Sequence, residues 1–318
     1  MKSSSTIVLE AHEITKSYNE KRVLDNFSLE ISSSDFFVLM GPNGSGKSTL
    51  MSILAGTNPM DRGKVMILGH DISHDELKAR QHIGYVPQQH FCSDFLTGRE
   101  NLQYFADLLG LSKSQAKKRI PQLLQMMGLE DDADRNVREY SGGMKKKLEV
   151  ATALLGDAQI LFLDEPSTGL DPNARKEFLM LLKSINEQGT AILLVTHIGE
   201  DAEIANRVGF MLEGRIVAEG TPQKLKEMSG VKSSIILDVI PRTDELLLLL
   251  GGISNDCIVI ERNESIELSC EEPNEMVPLI MDKLQRSGFN MRSIETQPPS
   301  LEDIFYSLTA CPIGGEVA

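Results

Sequence analysis

The 318-residue chain has no tryptophan, and its four cysteines, Cys92, Cys257, Cys270 and Cys311, are scattered without a C-x-x-C spacing. Neither a zinc site nor a disulfide framework follows from that pattern, so the cysteines read as reduced thiols of a cytoplasmic protein. Long apolar runs are missing as well. The best are short, such as residues 246–250, against the about 20 residues that a membrane-spanning helix needs. Residues 1–6 are polar and serine-rich, without the apolar stretch of a secretory signal. Basic charge is in short supply: 32 Lys and Arg against 46 Asp and Glu leave a net charge of -14. This balance argues against bulk attraction to nucleic acid or to an anionic membrane, so any membrane contact has to run through another protein.

What is present is an ordinary globular composition, 41% hydrophobic and 25% charged, long enough for about two domains. The most informative stretch is Gly41-Pro42-Asn43-Gly44-Ser45-Gly46-Lys47-Ser48-Thr49, which follows the apolar run 36–40 and precedes another at 50–55. A strand leading through a glycine-rich loop into a helix is the setting in which G-x-x-x-x-G-K-[ST] binds phosphate. Glycines 41, 44 and 46 let backbone N–H groups turn inward, and these join the helix N-terminus in surrounding an anion. Lys47 is then placed for the β- and γ-phosphates, and the Ser48 hydroxyl for a magnesium ion.

In chain order, residues 7–31 alternate around the polar turn 19–21 and read as an antiparallel hairpin. Tyr18, at the end of its first segment, either stacks on an adenine or covers a sheet edge; base stacking on an aromatic is worth about 1–3 kcal/mol. Residues 63–68 and 83–88 read as strands, the second ended by Pro87. From 91 to 155 the pattern turns helical: Leu102, Phe105, Leu108 and Leu109 share a face, and Ser112 with Gln115 forms a capping box. Ser141-Gly142-Gly143, ahead of the helix 145–155, makes a second glycine-rich helix start and so a second candidate anion site. Lys145, Lys146 and Lys147 behind it read as a solvated face. The apolar strand 160–163 ends in two carboxylates, Asp164 and Glu165. Such a strand belongs in a parallel sheet, whose C-terminal edge carries ligands. Asp164 is the candidate magnesium ligand and Glu165 the candidate base that activates water. Pro172 opens a helix with Phe178, Leu181, Leu182 and Ile185 on one face and Gly189 as its stop. A further strand, 191–195, brings Thr196 and His197 to the same edge.

These motifs, in this order, resemble the nucleotide-binding subunit of an ATP-binding cassette (ABC) transporter over roughly residues 6–225. The matching parts are the Walker A loop at 41–48, the glutamine loop at Gln88, the signature at 141–144, Walker B with Asp164 and Glu165, the D-loop ending at Asp171, and the switch histidine His197. Tyr18 matches the adenine-stacking aromatic. The resemblance implies a P-loop α/β core, with a parallel sheet, an antiparallel β subdomain and a helical subdomain, that binds and hydrolyses Mg-ATP. It implies that Gln88 reaches the magnesium and senses the γ-phosphate. Ser141, Gly142, Gly143 and Asp171 then serve nucleotide across a head-to-tail dimer, here a homodimer. Met144 and Tyr140 depart from the commoner glutamine and leucine and match the form seen in ABC-2-type exporters.

Residues 231–309 read as strand, helix, two strands, helix and strand, the ferredoxin-like split βαβ order. Pro299-Ser300-Leu301-Glu302-Asp303-Ile304-Phe305 after them resembles the C-terminus of ABC-2-type exporter ATPases, including the drug and antibiotic resistance group. The expected division is an ATPase domain over 1–228, with its helical part at about 91–155, an α+β domain over 229–310, and a loose tail over 311–318. Two functions fit the cassette. One is the motor of a membrane exporter, held to the inner membrane face by a separate transmembrane permease. The other is a soluble ABC ATPase acting on ribosomes or DNA; such relatives carry paired cassettes or long coiled coils, and neither is present. In the exporter, Phe91, Phe95 and Leu96 beside Gln88 either receive a cytoplasmic helix of the permease or belong to the core.

Overall fold

The structure is a computed structural model that describes residues 6–253, 258–261, 265–270 and 273–310. Two long strands open it, β1 (Ile7–Tyr18) and β2 (Lys21–Ser32), joined as an antiparallel hairpin at Asn19-Glu20. Then follow β3 (Phe36–Met40), α1 (Lys47–Leu54), β4 (Arg62–Ile67), β5 (His70–Asp71), α2 (Glu76–Arg80) and β6 (Ile83–Val86). Three helices come next, α3 (Gly98–Leu108), α4 (Lys113–Met127) and α5 (Gly142–Ala153). The chain returns to β7 (Ile160–Asp164), α6 (Pro172–Glu187), β8 (Ala191–Thr196), α7 (Gly199–Ala202), β9 (Arg207–Leu212), β10 (Arg215–Gly220) and α8 (Pro222–Ser229).

The apolar runs in β3, β7 and β8 explain where these strands lie. Every residue of each is buried, as expected of strands covered on both faces. They form the middle of a six-stranded sheet of order β10-β9-β3-β8-β7-β6, parallel from β9 to β6 with β10 antiparallel at the edge. Because β3, β8, β7 and β6 run side by side in one direction, their C-terminal ends share an edge. That edge carries the loop after Met40, His197, Glu165 and Gln88. The hairpin forms a second, antiparallel sheet of order β2-β1-β4-β5, whose buried side chains, among them Leu9, Ile14 and Phe27, join one core with Phe37, Leu39 and Phe162.

The helical stretch is built as its caps dictate. Ser112 and Gln115 form the expected capping box on α4, and Thr97 with Glu100 forms another on α3. The α3 face differs from expectation: Leu102 is buried, while Leu108 and Leu109 are 64% and 58% exposed. They lie at the C-terminal end of the helix, lining an open groove with Tyr85, Phe91 and Phe105. Phe95 is 85% exposed and so is no core residue. Lys145, Lys146 and Lys147 are not a free solvated face; they pair with Asp94, Glu149 and Glu177. Tyr140 is buried, and its hydroxyl donates to the Asp132 carbonyl at 2.7 Å. Any side chain at Gly98 would collide with that hydroxyl, so the tyrosine and the glycine fit as a pair. Cys92 and Cys270 are buried free thiols, and burial beside Glu149 pushes Cys92 up to about 12.

Chain contacts divide the protein into a larger unit, containing everything up to Leu225, and a smaller one, Lys226–Leu308. The smaller holds β11 (Ser233–Ile240), α9 (Asp244–Gly251), β12 (Ile258–Glu261), β13 (Ile266–Cys270), α10 (Pro273–Arg286), β14 (Asn290–Gln297) and α11 (Leu301–Thr309). Its antiparallel sheet has the order β12-β13-β11-β14, the arrangement of a split βαβ fold. Ile235, Leu237 and Val239 of β11 form its core with Leu246 and Leu250 of α9 and Ile280 and Leu284 of α10. The tail expected over 311–318 lies outside the described residues. No helix among the described residues is long and apolar enough to cross a membrane.

Candidate functional site

The buried strand β3 delivers its chain to Gly41, where a Cβ would collide with the Met211 carbonyl. Gly46 has φ 106, and a Cβ there would press on the Val23 carbonyl at 2.6 Å. Glycine is needed at both places. Gly46 caps α1 without a side-chain acceptor, and no acidic residue occupies the helix's first turn. The uncapped N–H groups and the positive end of the helix dipole therefore face the loop, an arrangement that favours a bound anion. Lys47 is 5% exposed and donates to the carbonyls of Gly41 and Pro42 at 2.8 and 2.9 Å. Burial lowers its pKa, and the nearby Glu165 and Asp164 charges push it back up. The Ser45 hydroxyl is buried in the same loop without a hydrogen-bond partner, and Ser45 does not line the cavity that Lys47 and Ser48 line.

Asp164 ends β7 with 4% exposure, and desolvation raises its pKa above the usual carboxylate range. Ser48 donates to its Oδ1 at 3.4 Å. This hydroxyl and carboxylate are the hard oxygen donors that magnesium selects. Among the described residues no cluster of three or more His, Cys, Asp and Glu forms a metal cage. A cation held by Ser48 and Asp164 would take its remaining ligands from other oxygen donors, such as the Gln88 side-chain carbonyl, water and phosphate.

Glu165 follows in the left-handed region at φ 48, strain on the order of 1–3 kcal/mol that clusters at functional sites. Its amide is tied to the Val195 carbonyl at 2.9 Å. Its Oε2 accepts from Gln88 Nε2 at 3.1 Å and from the Thr168 hydroxyl at 3.5 Å. Its Oε1 stands 3.2 Å from His197 Nδ1. That contact is a close approach and not a hydrogen bond, for Nδ1 has no hydrogen-bond partner. Two segments distant in the chain, at Gln88 and His197, thus converge with the neighbouring Thr168 on one carboxylate.

Tyr18 sits where β1 ends, 46% exposed, its hydroxyl accepting from Asn58 Nδ2 at 2.6 Å. Lys16 Nζ lies 5.3 Å from the ring centroid. Tyr18, Asn43, Gly44, Gly46, Lys47, Ser48, Thr49, Gln88, Glu165 and His197 line one cavity of about 680 Å³. Lys21 and Val23 line it too, and sequence reasoning missed both; their place just after the Tyr18 turn is the signal that could have found them. Ser167 and Asp201 were also missed. The buried Asp201 Oδ2 accepts from Ser167 and Thr196 at 2.5 and 2.8 Å, tying the Glu165 loop to the His197 turn. No local pattern announces that bond across 34 residues.

Ser141, Gly142, Gly143 and Asp171 do not line the cavity. Ser141 is exposed and caps α5, its Oγ accepting from the Met144 amide at 3.2 Å. The backbone of residue 144 makes this cap, which is why methionine serves there. Asp171 caps α6, accepting from the amides of Asn173 and Ala174 at 3.1 and 3.0 Å.

Comparison with known proteins agrees with this arrangement. Residues 24–168 match the family model described as ABC transporter. The chain is 32% identical to the linearmycin resistance ATP-binding protein LnrL of Bacillus subtilis, over 95% of this chain and 98% of the relative. It is 36% identical to the Nod factor export ATP-binding protein I of Sinorhizobium fredii, over 97% and 88%. It is 33% identical to the daunorubicin resistance ATP-binding protein DrrA3 of Streptomyces coeruleorubidus, over 92% and 93%. Among solved structures, a dimeric ATP-binding cassette in a post-hydrolysis state, bound to ADP and Pi, matches 67% of this chain and 98% of its own. That match has 30% identity and a TM-score of 0.60. The strand–loop–helix phosphate site, the paired carboxylates at the sheet edge and these relatives agree: the chain belongs to the ABC transporter family, as an ATP-hydrolysing subunit of the exporter group.

Proposed function

We propose that the chain hydrolyses Mg-ATP with Glu165 as the general base, and that two copies joined head to tail drive an exporter through a separate transmembrane permease. The observation that carries this reading is the convergence of Gln88, Thr168 and His197 on the Glu165 carboxylate, at the mouth of a loop built for phosphate. Tyr18 stacks on the adenine. Gly41, Asn43, Gly44, Ser45, Gly46 and Thr49 hold the phosphates through backbone and hydroxyl donors, and Lys47 neutralises their charge. Ser48 and Asp164 bind magnesium, with Gln88 reaching the same ion. Bound magnesium would spread charge on the leaving phosphates. Glu165 takes the proton of the attacking water, and His197 steadies the γ-phosphate edge.

Ser141, Gly142, Gly143 and Asp171, outside this cavity, act on the nucleotide of the second copy. Residues 1–228 form the ATPase domain and 229–310 an accessory domain that supports packing or the dimer. The groove of about 320 Å³ beside β6, lined by Tyr85, Phe91, Phe105, Leu108 and Leu109 among others, takes a cytoplasmic segment of the permease. The subunit is thereby held at the inner membrane face from the cytoplasm. The names of the relatives, resistance to linearmycin and daunorubicin and export of Nod factor, support outward transport.

The test is Glu165→Gln. Loss of a placed general base lowers turnover by about 10²–10⁴-fold, so the variant should bind ATP with near-native affinity and barely hydrolyse it. Undiminished turnover would remove Glu165 from this role.

A further inference from the structure

Away from the cavity lies a second concentration of charge that none of these roles uses. Glu149, in the middle of α5, is fully buried, and a buried carboxylate is tolerated only with partners. It has two, His90 Nδ1 at 2.5 Å and Lys146 Nζ at 3.0 Å. The first is a hydrogen bond. The second is an ion pair without hydrogen-bond angles. Lys146 also donates to the Gln88 carbonyl at 3.5 Å, and Lys145 beside it donates to Asp94 Oδ1 at 2.7 Å. His90 Nε2 lies 3.7 Å from that same Asp94 oxygen. The segment 88–94 is therefore fastened to α5 at three points: the Gln88 backbone, the His90 ring and the Asp94 carboxylate. At the near end of this segment, the Gln88 side chain donates to Glu165. At the near end of α5 stands Ser141.

We propose that Glu149 is a positioning residue for hydrolysis: its clasp on His90 and Lys146 aims the Gln88 amide at Glu165 and makes the glutamine loop and the Ser141 helix start one rigid piece. Without the clasp, Gln88 begins a free loop whose amide samples many orientations. With it, a movement of Gln88 carries α5. The inference rests on the roles given above to Gln88 and Glu165.

A kinetic cycle on the full chain tests it, with wild type, Gln88→Ala, Glu149→Gln and the double variant, each assayed for kcat and KM for ATP. Glu149→Gln should lower kcat about tenfold, or 1.4 kcal/mol, with KM within about twofold. In the Gln88→Ala background it should lower kcat no further, because two residues acting through one contact are not additive. A merely structural role would lower the thermal midpoint without this split. His90→Ala opens the clasp on its exposed side while Glu149 keeps Lys146; it should reproduce the kcat loss even if Glu149→Gln fails to fold. Independent, additive losses would overturn the proposal. A kcat loss in Gln88→Ala with full kcat in both Glu149→Gln and His90→Ala would overturn the clasp and leave the role of Gln88 standing. Full kcat in Gln88→Ala would overturn both.

Discussion

Lys47 and Asp164 carry opposite charges in one dry corner, and burial draws each toward neutrality. A carboxyl raised in the folded chain makes the native state bind a proton more tightly than the unfolded chain does. Its unfavourable contribution is therefore fully present above the raised value and is relieved as pH falls through that value toward the ordinary carboxylate range of the unfolded chain. Asp164→Asn removes this burden along with the metal ligand. At pH 7, without nucleotide, its thermal midpoint should rise, by about 2–4 °C for each kcal/mol gained. The dependence of that midpoint on pH should flatten, while Mg-dependent turnover drops by about 10²-fold or more, as loss of several kcal/mol of charge stabilisation requires. Calorimetry and a turnover assay on the same preparation decide it; a lower midpoint contradicts the account. Lys47→Ala, by contrast, should lose ATP binding itself in equilibrium dialysis, and native affinity would rule out the phosphate clamp.

Among the elements, the glutamine loop and the groove beside it make the next prediction. Phe95 does not line that groove but lies on the segment next to it, 85% exposed with its carbonyl accepting from Asn136, so Phe95→Asp should fold normally. It should bind ATP as the wild type does and fall away from membranes that contain the permease. A folded variant that still sediments with those membranes would remove Phe95 from the dock. Legibility in the sequence follows the range of the interactions. The strands β3, β7 and β8 could be read because burial on both faces writes an unbroken apolar run, and the start of α4 because Ser112 and Gln115 satisfy each other three residues apart. Lys47, Ser48, Asp164 and Glu165 were legible because the chain must turn in a fixed way to present them. The exposed Leu108 and Leu109 misled because periodicity marks a face without saying whether anything covers it. Asp201 with Ser167, and Glu149 with His90, were invisible for another reason: these bonds span 34 and 59 residues, and only the folded chain brings the partners together.

For the whole molecule, the geometry separates the two helix starts proposed to bind nucleotide phosphate. The start of α1 opens into the cavity, while Ser141 at the start of α5 is exposed and outside it. The proposed head-to-tail pair of chains would resolve this, because two-fold symmetry would set each Ser141 against the other chain's nucleotide and make two equal sites. Nucleotide held in that seam favours association by mass action, and slow hydrolysis preserves it. The most direct test is the solution mass of Glu165→Gln, by light scattering, with and without Mg-ATP. The account predicts twice the mass of the chain with Mg-ATP and a single chain without it. Adding Ser141→Arg should hold the protein at the single-chain mass in both conditions. A Glu165→Gln chain that binds Mg-ATP and still runs as a single chain would contradict the account.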